Sequence, residues 1–404
     1  MDESELSEVI AGARGALSVR GGGTRGMAGP GEALSLAGMR GITLYEPGAL
    51  TMVARAGTPV AEIEAALTAE KQRLAFEPMD HRGLLGGGGT PTIGGVFAAN
   101  VSGPRRIAIG AARDFLLGVR FVDGRGRIIS NGGRVMKNVT GYDLVKLLAG
   151  SCGTLGVLSE VSLKVLPQPE TEATLRLEGL ADAEAVAAMA RAMGSPFEVS
   201  AAAHLPGEGS TLLRIEGFEA SVRYRVERLR TLFGDAEVLG PEASRARWVG
   251  VRDVAPFHGA DGDVWRLSCK PSEAPALMAR AAPLAHFYDW AGGLIWCLST
   301  PGTDMRARLG VFGGHATLVR ADGAAAARHA GGVATGRRVA GAVRSARVVS
   351  RRCWEAGRMT LTVLFLGIFL LGPLGFRLAT RAAPSPAGCA AWRWRLRASS
   401  SGLP

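Results

Sequence analysis

This chain has no paired cysteines. Its five, Cys152, Cys269, Cys297, Cys353 and Cys389, are odd in number and far apart, and none belongs to a Cys-x-x-Cys pair. That excludes an iron-sulfur cluster, a zinc site and a disulfide framework, and it fits a reducing cytoplasm. The six histidines, His81, His204, His258, His286, His315 and His329, form no metal-ligand cluster either. Met1 to Ser7 is acidic and lacks the apolar core of a signal peptide, so no export signal is expected. A polyanion-binding surface is missing too, although the net charge is +11. From Ala321 to Pro404 there are thirteen arginines, no lysine, and only Asp322 and Glu355 as acids, which accounts for the whole excess. The first 320 residues carry 34 basic and 34 acidic side chains, so no nucleic-acid partner is expected.

The 404 residues, 47% apolar and 21% charged, describe an ordinary globular protein large enough for two domains. Glycines and small residues dominate Thr92 to Gly103, so densely that a ligand rather than a bulky core is expected against that backbone. Glycines recur at strand ends through Gly110 to Asp114 and Gly150 to Val157. Glu3 to Ala13 reads as an amphipathic helix, and Leu17 to Arg20 as a strand entering the loop Gly21-Gly22-Gly23-Thr24-Arg25-Gly26.

That loop matches G-x-G-x-x-G, with Glu46 downstream, but Met27-Ala28-Gly29-Pro30-Gly31 cannot open the helix that a Rossmann unit needs. Two readings remain for it: an anion-binding loop of successive backbone N–H groups, or a plain hairpin turn. Ile42 to Glu46 and Thr51 to Ala56 are β runs joined by Pro47-Gly48. Thr58-Pro59 then supplies an N-cap and first-turn proline for a helix ending near Lys71, and the five glycines between Arg82 and Pro91 imply a loop.

Several segments in order carry a resemblance: Arg20 to Thr24, Thr92 to Arg106, Arg113-Asp114-Phe115, Met136 to Val139 with Gly141-Tyr142-Asp143, and Gly153 to Leu158. Together they resemble the FAD-binding PCMH (vanillyl-alcohol oxidase) type of domain, and most closely the FAD-binding E subunits of bacterial glycolate oxidases. The resemblance implies an α+β fold with a two-subdomain FAD-binding domain over residues 1–168, then an α+β cap over residues 169–320. It covers about residues 1–320. Pro167-Gln168-Pro169 reads as the punctuated boundary. Asp182 to Met193 and Ala220 to Phe233 read as cap helices, and Thr174 to Leu177 and Thr211 to Gly217 as strands.

The resemblance further implies FAD held by Arg20, Gly21, Gly22, Gly23 and Thr24, by Thr92, Ile93, Gly94, Gly95, Asn100 and Gly103, by Gly110, Arg113 and Asp114, and by Gly153, Thr154, Gly156 and Val157. The loop has no histidine of the kind that anchors flavin in some relatives, so noncovalent FAD is expected. Arg105 and Arg106 contact phosphate or are solvated. Lys137 and Tyr142 approach the flavin, or Tyr142 is a buried structural residue. Arg266 and His315 are substrate-side candidates, with a structural role the alternative for His315. Ser151-Cys152 stands where related large subunits have Ser-Glu, and no catalytic residue is assigned.

The activity implied is oxidation of glycolate to glyoxylate, with electrons passed to a large FAD subunit and an iron-sulfur subunit. The alternatives are an assembly subunit that keeps the fold without chemistry, and a stand-alone FAD oxidoreductase acting on another hydroxy acid or a sugar. The implied location is cytoplasmic, peripheral at the inner membrane through partners or tail. Residues 321–404 fall outside the resemblance. Their Arg, Ala and Gly mixture and the 18 uncharged residues Met359 to Phe376 read as a frameshifted GC-rich stretch or as a membrane anchor at the short limit of a span. Gly367, Gly372, Pro373 and Gly375 weaken that helix and favour the frameshift.

Overall fold

Val157–Lys164 alternates buried and half-exposed side chains along most of its length, the period of a strand with one face in a core. It is the middle strand of a five-stranded antiparallel sheet, ordered Ile42–Glu46, Thr51–Arg55, Val157–Lys164, Leu116–Val122 and Ile128–Gly132. The computed structural model describes residues 1–26, 31–134, 142–234 and 236–321. All of them belong to one compact unit, Met1–Val333. One face of the sheet packs Met52, Ala54, Val161 and Leu163 against the helices Val60–Ala69, Ile93–Ala98 and Leu144–Leu148. The helix Glu3–Gly12 joins Leu6 and Ile10 to Val122 and Val157. It is tied down by Glu3, which accepts from Arg120 and from Ser159 Oγ at 2.6 Å.

Two local expectations change. Thr92 to Gly103 does contribute to the core: its helix Ile93–Ala98 places Ile93, Val96 and Phe97 fully inside. The glycines and alanines between them occupy other faces of that turn, so one segment serves both core and cleft. Thr58 does not cap the following helix, because its hydroxyl donates to the Arg55 carbonyl at 2.7 Å and accepts from Gly41 N at 2.9 Å. Pro59 occupies the cap position. Within the glycine-rich stretch after Arg82, one helical turn forms at Arg82–Leu85.

After Pro167 the chain enters a second, eight-stranded antiparallel sheet. Its order is Glu237–Leu239, Thr171–Glu178, Ser210–Gly217, Ala201–Leu205, Ala285–Asp289, Leu294–Ser299, Asp263–Ser268 and His315–Arg320. One face is covered by the helices Asp182–Met193, Glu219–Phe233 and Ala274–Ala281. The other face carries Val264, Trp296 and Leu298 and packs against the helix Pro241–Arg252 and against Met79 and Leu84 of the amino-terminal half.

Between the halves lies a buried ion network. Glu77 accepts from Arg214 Nη1 and Nη2, each at 2.9 Å, and pairs with Arg105 Nη1 at 2.8 Å. Glu216 accepts from Arg105 Nε at 2.8 Å and Nη2 at 2.7 Å, and from Arg73 Nη1 at 2.6 Å. Arg105 is therefore neither solvated nor free for phosphate. Burial pulls Glu216 upward in pKa, but Arg214, Arg105 and Arg73 override it and hold the carboxyl well below the ordinary value of 4.5.

Removing one partner of such a network leaves an uncompensated buried charge, which costs about 3–5 kcal/mol. Glu216→Gln is expected to lower the urea midpoint accordingly, whereas Arg176→Ala, in an exposed pair, changes stability by less than about 1 kcal/mol. Because the folded pKa of Glu216 is depressed, its contribution is complete above pH 4.5 and is lost as pH falls toward the folded value. The gap between wild type and Glu216→Gln should therefore narrow in acid denaturation curves below that pH.

Candidate functional site

Leu17–Arg20 pairs in parallel with Glu32–Ser35, and the glycine loop leaves the first strand at Arg20. A parallel pair needs a crossover, and here the loop supplies it, with a strand and not a helix as the next described element. Gly22 is obligatory, because a Cβ there would lie 1.5 Å from the Thr90 carbonyl oxygen. The backbone N–H groups of Gly21 to Gly26 make no hydrogen bond to any described residue. Successive unpaired amides of this kind are an anion-binding concavity.

The loop is one wall of a cleft with about 910 Å³ of atom-free space, open to solvent at its mouth. The other walls are Thr92, Gly94, Gly95, Ala98 and Ala99, then Cys152, Gly153 and Gly156 to Leu158, with Leu36 and Ala56. Two side chains bring unsatisfied polar atoms into it. Thr92 Oγ1 is buried with no partner among the described residues, and so are Nε and Nη2 of Arg25. Burial lowers the Arg25 pKa to about 10, which still leaves a cation at neutral pH. Burial and Arg25 push His81 down to about 4, so it is neutral. Burial raises the Cys152 thiol, with Arg25 opposing.

Of the residues marked out by sequence, Arg20 to Thr24, Thr92, Gly94, Gly95, Gly153, Gly156 and Val157 line this cleft. Ile93 points into the core instead. Asn100, Gly103, Gly110, Arg113, Asp114 and Thr154 are not among the lining residues. Asn100 has a left-handed backbone, φ 50°, and its Oδ1 accepts from Arg113 N at 3.0 Å. Asp114 Oδ2 accepts from Ala111 N at 2.8 Å, and Thr154 Oγ1 donates to the Ser151 carbonyl at 2.7 Å. These residues brace the loops that carry the walls. Tyr142 is 87% exposed, which excludes the buried structural role. Met136 to Gly141, with Lys137, and the tail from Asp322, with His329, Cys353, Cys389 and Met359 to Phe376, lie outside the described residues.

A second polar cluster sits where the segment Asn100 to Gly110, which includes the helical turn Arg106–Ile109, meets the eight-stranded sheet. Trp290 Nε1 donates to the Gly103 carbonyl at 3.1 Å. The guanidinium carbons of Arg106 and Arg266 lie 4.6 and 5.2 Å from the Trp290 ring centroid. Neither guanidinium has a hydrogen-bond or ion-pair partner among the described residues. Burial, then Arg106, lowers the Arg266 pKa to about 10. His315 pairs with Ser268 and Arg266 with Thr317, so both side chains project from the face that turns to the amino-terminal half. Burial and Arg266 lower the His315 pKa. Sequence reasoning missed Arg25 and gave Trp290 no role; the only signal for Arg25 was its place directly after three glycines and a threonine.

Residues 2–132 match the FAD binding domain family. Alkyldihydroxyacetonephosphate synthase has a similar fold, with a TM-score of 0.60 and 15% identity over 77% of this chain and 70% of that one. Fold and cleft define an FAD-dependent oxidoreductase of the PCMH type. Over 289 residues the chain is 39% identical to glycolate oxidase subunit GlcE of Escherichia coli, spanning 71% of this chain and 76% of that protein. It belongs to the family of GlcE-type glycolate oxidase subunits. Glycolate oxidase subunit GlcD of Bacillus subtilis is 45% identical over 84 residues, 21% of this chain and 18% of that protein. FAD is the cofactor of the family, and the cleft fits it: unpaired amides, a buried hydroxyl and a buried guanidinium face a space walled by glycine.

Gly22→Ala drives a methyl group into the Thr90 carbonyl. The variant is expected to purify without the flavin band near ~450 nm, while its far-ultraviolet circular dichroism stays close to wild type. Retained flavin at wild-type occupancy would show that this loop does not hold the cofactor.

Proposed function

We propose that the chain is the FAD-holding E-type subunit of a complex that oxidises glycolate to glyoxylate. The similarity to GlcE over 76% of that protein's length carries this reading, because it runs through both halves of the structure. FAD lies noncovalently in the cleft, with its phosphates at Gly21 to Thr24 and its remaining length along Thr92 to Gly95 and Gly153 to Val157. Asn100, Gly103, Gly110, Arg113 and Asp114 hold those walls in place. Residues 1–168 form the FAD-binding domain and 169–320 the cap.

Bound FAD supplies the two-electron acceptor for hydride removal from the α-carbon of a 2-hydroxy acid. The chain must then supply a cation for the substrate carboxylate and a base for its hydroxyl. Arg106 and Arg266 over Trp290 are two like charges with no hydrogen-bonded or ion-paired partner among the described residues, and a carboxylate between them relieves both. His315, whose pKa is lowered, is the neutral proton acceptor beside them. Electrons leave through a large flavin subunit and an iron-sulfur subunit, at a cytoplasmic location. No helix among the described residues is long and apolar enough to cross a membrane.

The test is an absorbance spectrum of the full chain after FAD loading and gel filtration, followed by glycolate bleaching in the reconstituted complex. Flavin retained by this chain and bleached by glycolate is the expected result; folded protein with no retained flavin overturns the assignment. In the complex, Arg266→Ala is expected to raise the glycolate KM at least about tenfold with FAD retained, the loss of one charge-assisted contact. Bleaching should slow as pH falls through the lowered His315 pKa, and an unchanged acid limb in His315→Asn would remove it as the base.

A further inference from the structure

Arg25 is a built-in cation that no described residue neutralises by a hydrogen bond or ion pair. Its Nε and Nη2 are buried and have no partner among the described residues. Its Nη1 lies so close over Gly95 that a Cβ there would stand 2.5 Å from it, so the side chain is packed against the cleft wall. The carboxylate whose field it feels is Asp80, but both Asp80 oxygens accept from Arg82, Oδ1 from Nε at 3.1 Å and Oδ2 from Nη2 at 2.7 Å. A desolvated, unpaired guanidinium is costly, and proteins place such groups where a ligand completes the pair.

We infer that Arg25 is the counter-ion of the FAD pyrophosphate. The inference rests on the FAD reading of the cleft and adds a residue to it. Position selects the pyrophosphate over the isoalloxazine ring, because Arg25 directly follows the run of unpaired amides. Chemistry selects it too: the oxidised ring is neutral, whereas the diphosphate is anionic in every redox state. Backbone amides contribute partial charges only, and Arg25 contributes a full one. Its fork can donate through Nε and Nη2 to two oxygens of one phosphate.

The test uses the full chain with Arg25→Gln and Arg25→Lys. Dissociation constants for FAD and for ADP as competitor are read by flavin fluorescence, alongside the midpoint potential of bound FAD and the thermal midpoint of the apo form. Arg25→Gln is expected to weaken FAD and ADP alike, by at least about tenfold, while leaving the potential of whatever FAD binds unchanged. Its apo form should melt at or above wild type, because the unpaired buried charge is gone. Arg25→Lys should recover part of the affinity. Unchanged affinity for both ligands overturns the inference. Weakened FAD with unchanged ADP and a shifted potential also overturns it, placing Arg25 at the ring. A wild-type chain that binds neither ligand would instead overturn the FAD reading itself.

Discussion

Everything the two sheets present to each other depends on five buried charges. Arg73, Glu77 and Arg105 come from the amino-terminal half, and Arg214 and Glu216 from neighbouring positions of one strand in the eight-stranded sheet. Buried ion pairs are weak sources of net stability, but their geometry is demanding, and a shifted or rotated sheet would strand a charge. The network thus fixes one docking arrangement. Arg214 adds a second constraint by stacking on Trp248 at 4.7 Å, which ties the helix Pro241–Arg252 to the same point. With that docking fixed, Trp290 reaches the Gly103 carbonyl, and Arg106 from one half meets Arg266 from the other.

The cleft follows the opposite principle. Where the interface gives each charge an opposite partner, the cleft gathers polar groups and leaves them unmet among the described residues: loop amides, Thr92 Oγ1 and two nitrogens of Arg25. Several unmet groups gathered in one cleft are the physical signature of a ligand site, since most buried polar groups are paired. Two of the residues with left-handed backbones sit nearby. Asn100 and Cys152 both take left-handed backbones, φ 50° and 52°, at the ends of segments that build the cleft wall. Asn100 is compensated by its side-chain bond to Arg113 N.

Much of this was legible in sequence because it is local. The helix Asp182–Met193, the strand Leu17–Arg20 and the hairpin at Pro47-Gly48 follow from periodicity and turn chemistry. The glycine loop was legible through its residues, and the failure of a Rossmann helix through Pro30. What escaped is long-range. Nothing near Arg105 announces that its partner is Glu216, 111 positions away, so solvent and phosphate looked like its only choices. The eight-stranded order interleaves strands from residues 171 to 320, and no local pattern encodes it. Thr92 to Gly103 misled by composition: its glycines are conspicuous, while Ile93, Val96 and Phe97, spaced on one side of a short helix, are what hold it in the core.

The backbone passes from the first half to the second once, between Pro167 and Thr171, and the described residues do not return to the first sheet. To a recombining genome the described part of the second half is a single cassette joined to the first at one junction. The ion network limits that freedom. A foreign cassette could be accepted only if it brought an arginine and a glutamate to the places of Arg214 and Glu216, or if Glu77 and Arg105 changed with it. Inheritance at these distant positions is expected to be coupled, so that the junction is easy to cut and hard to rejoin with an unmatched half.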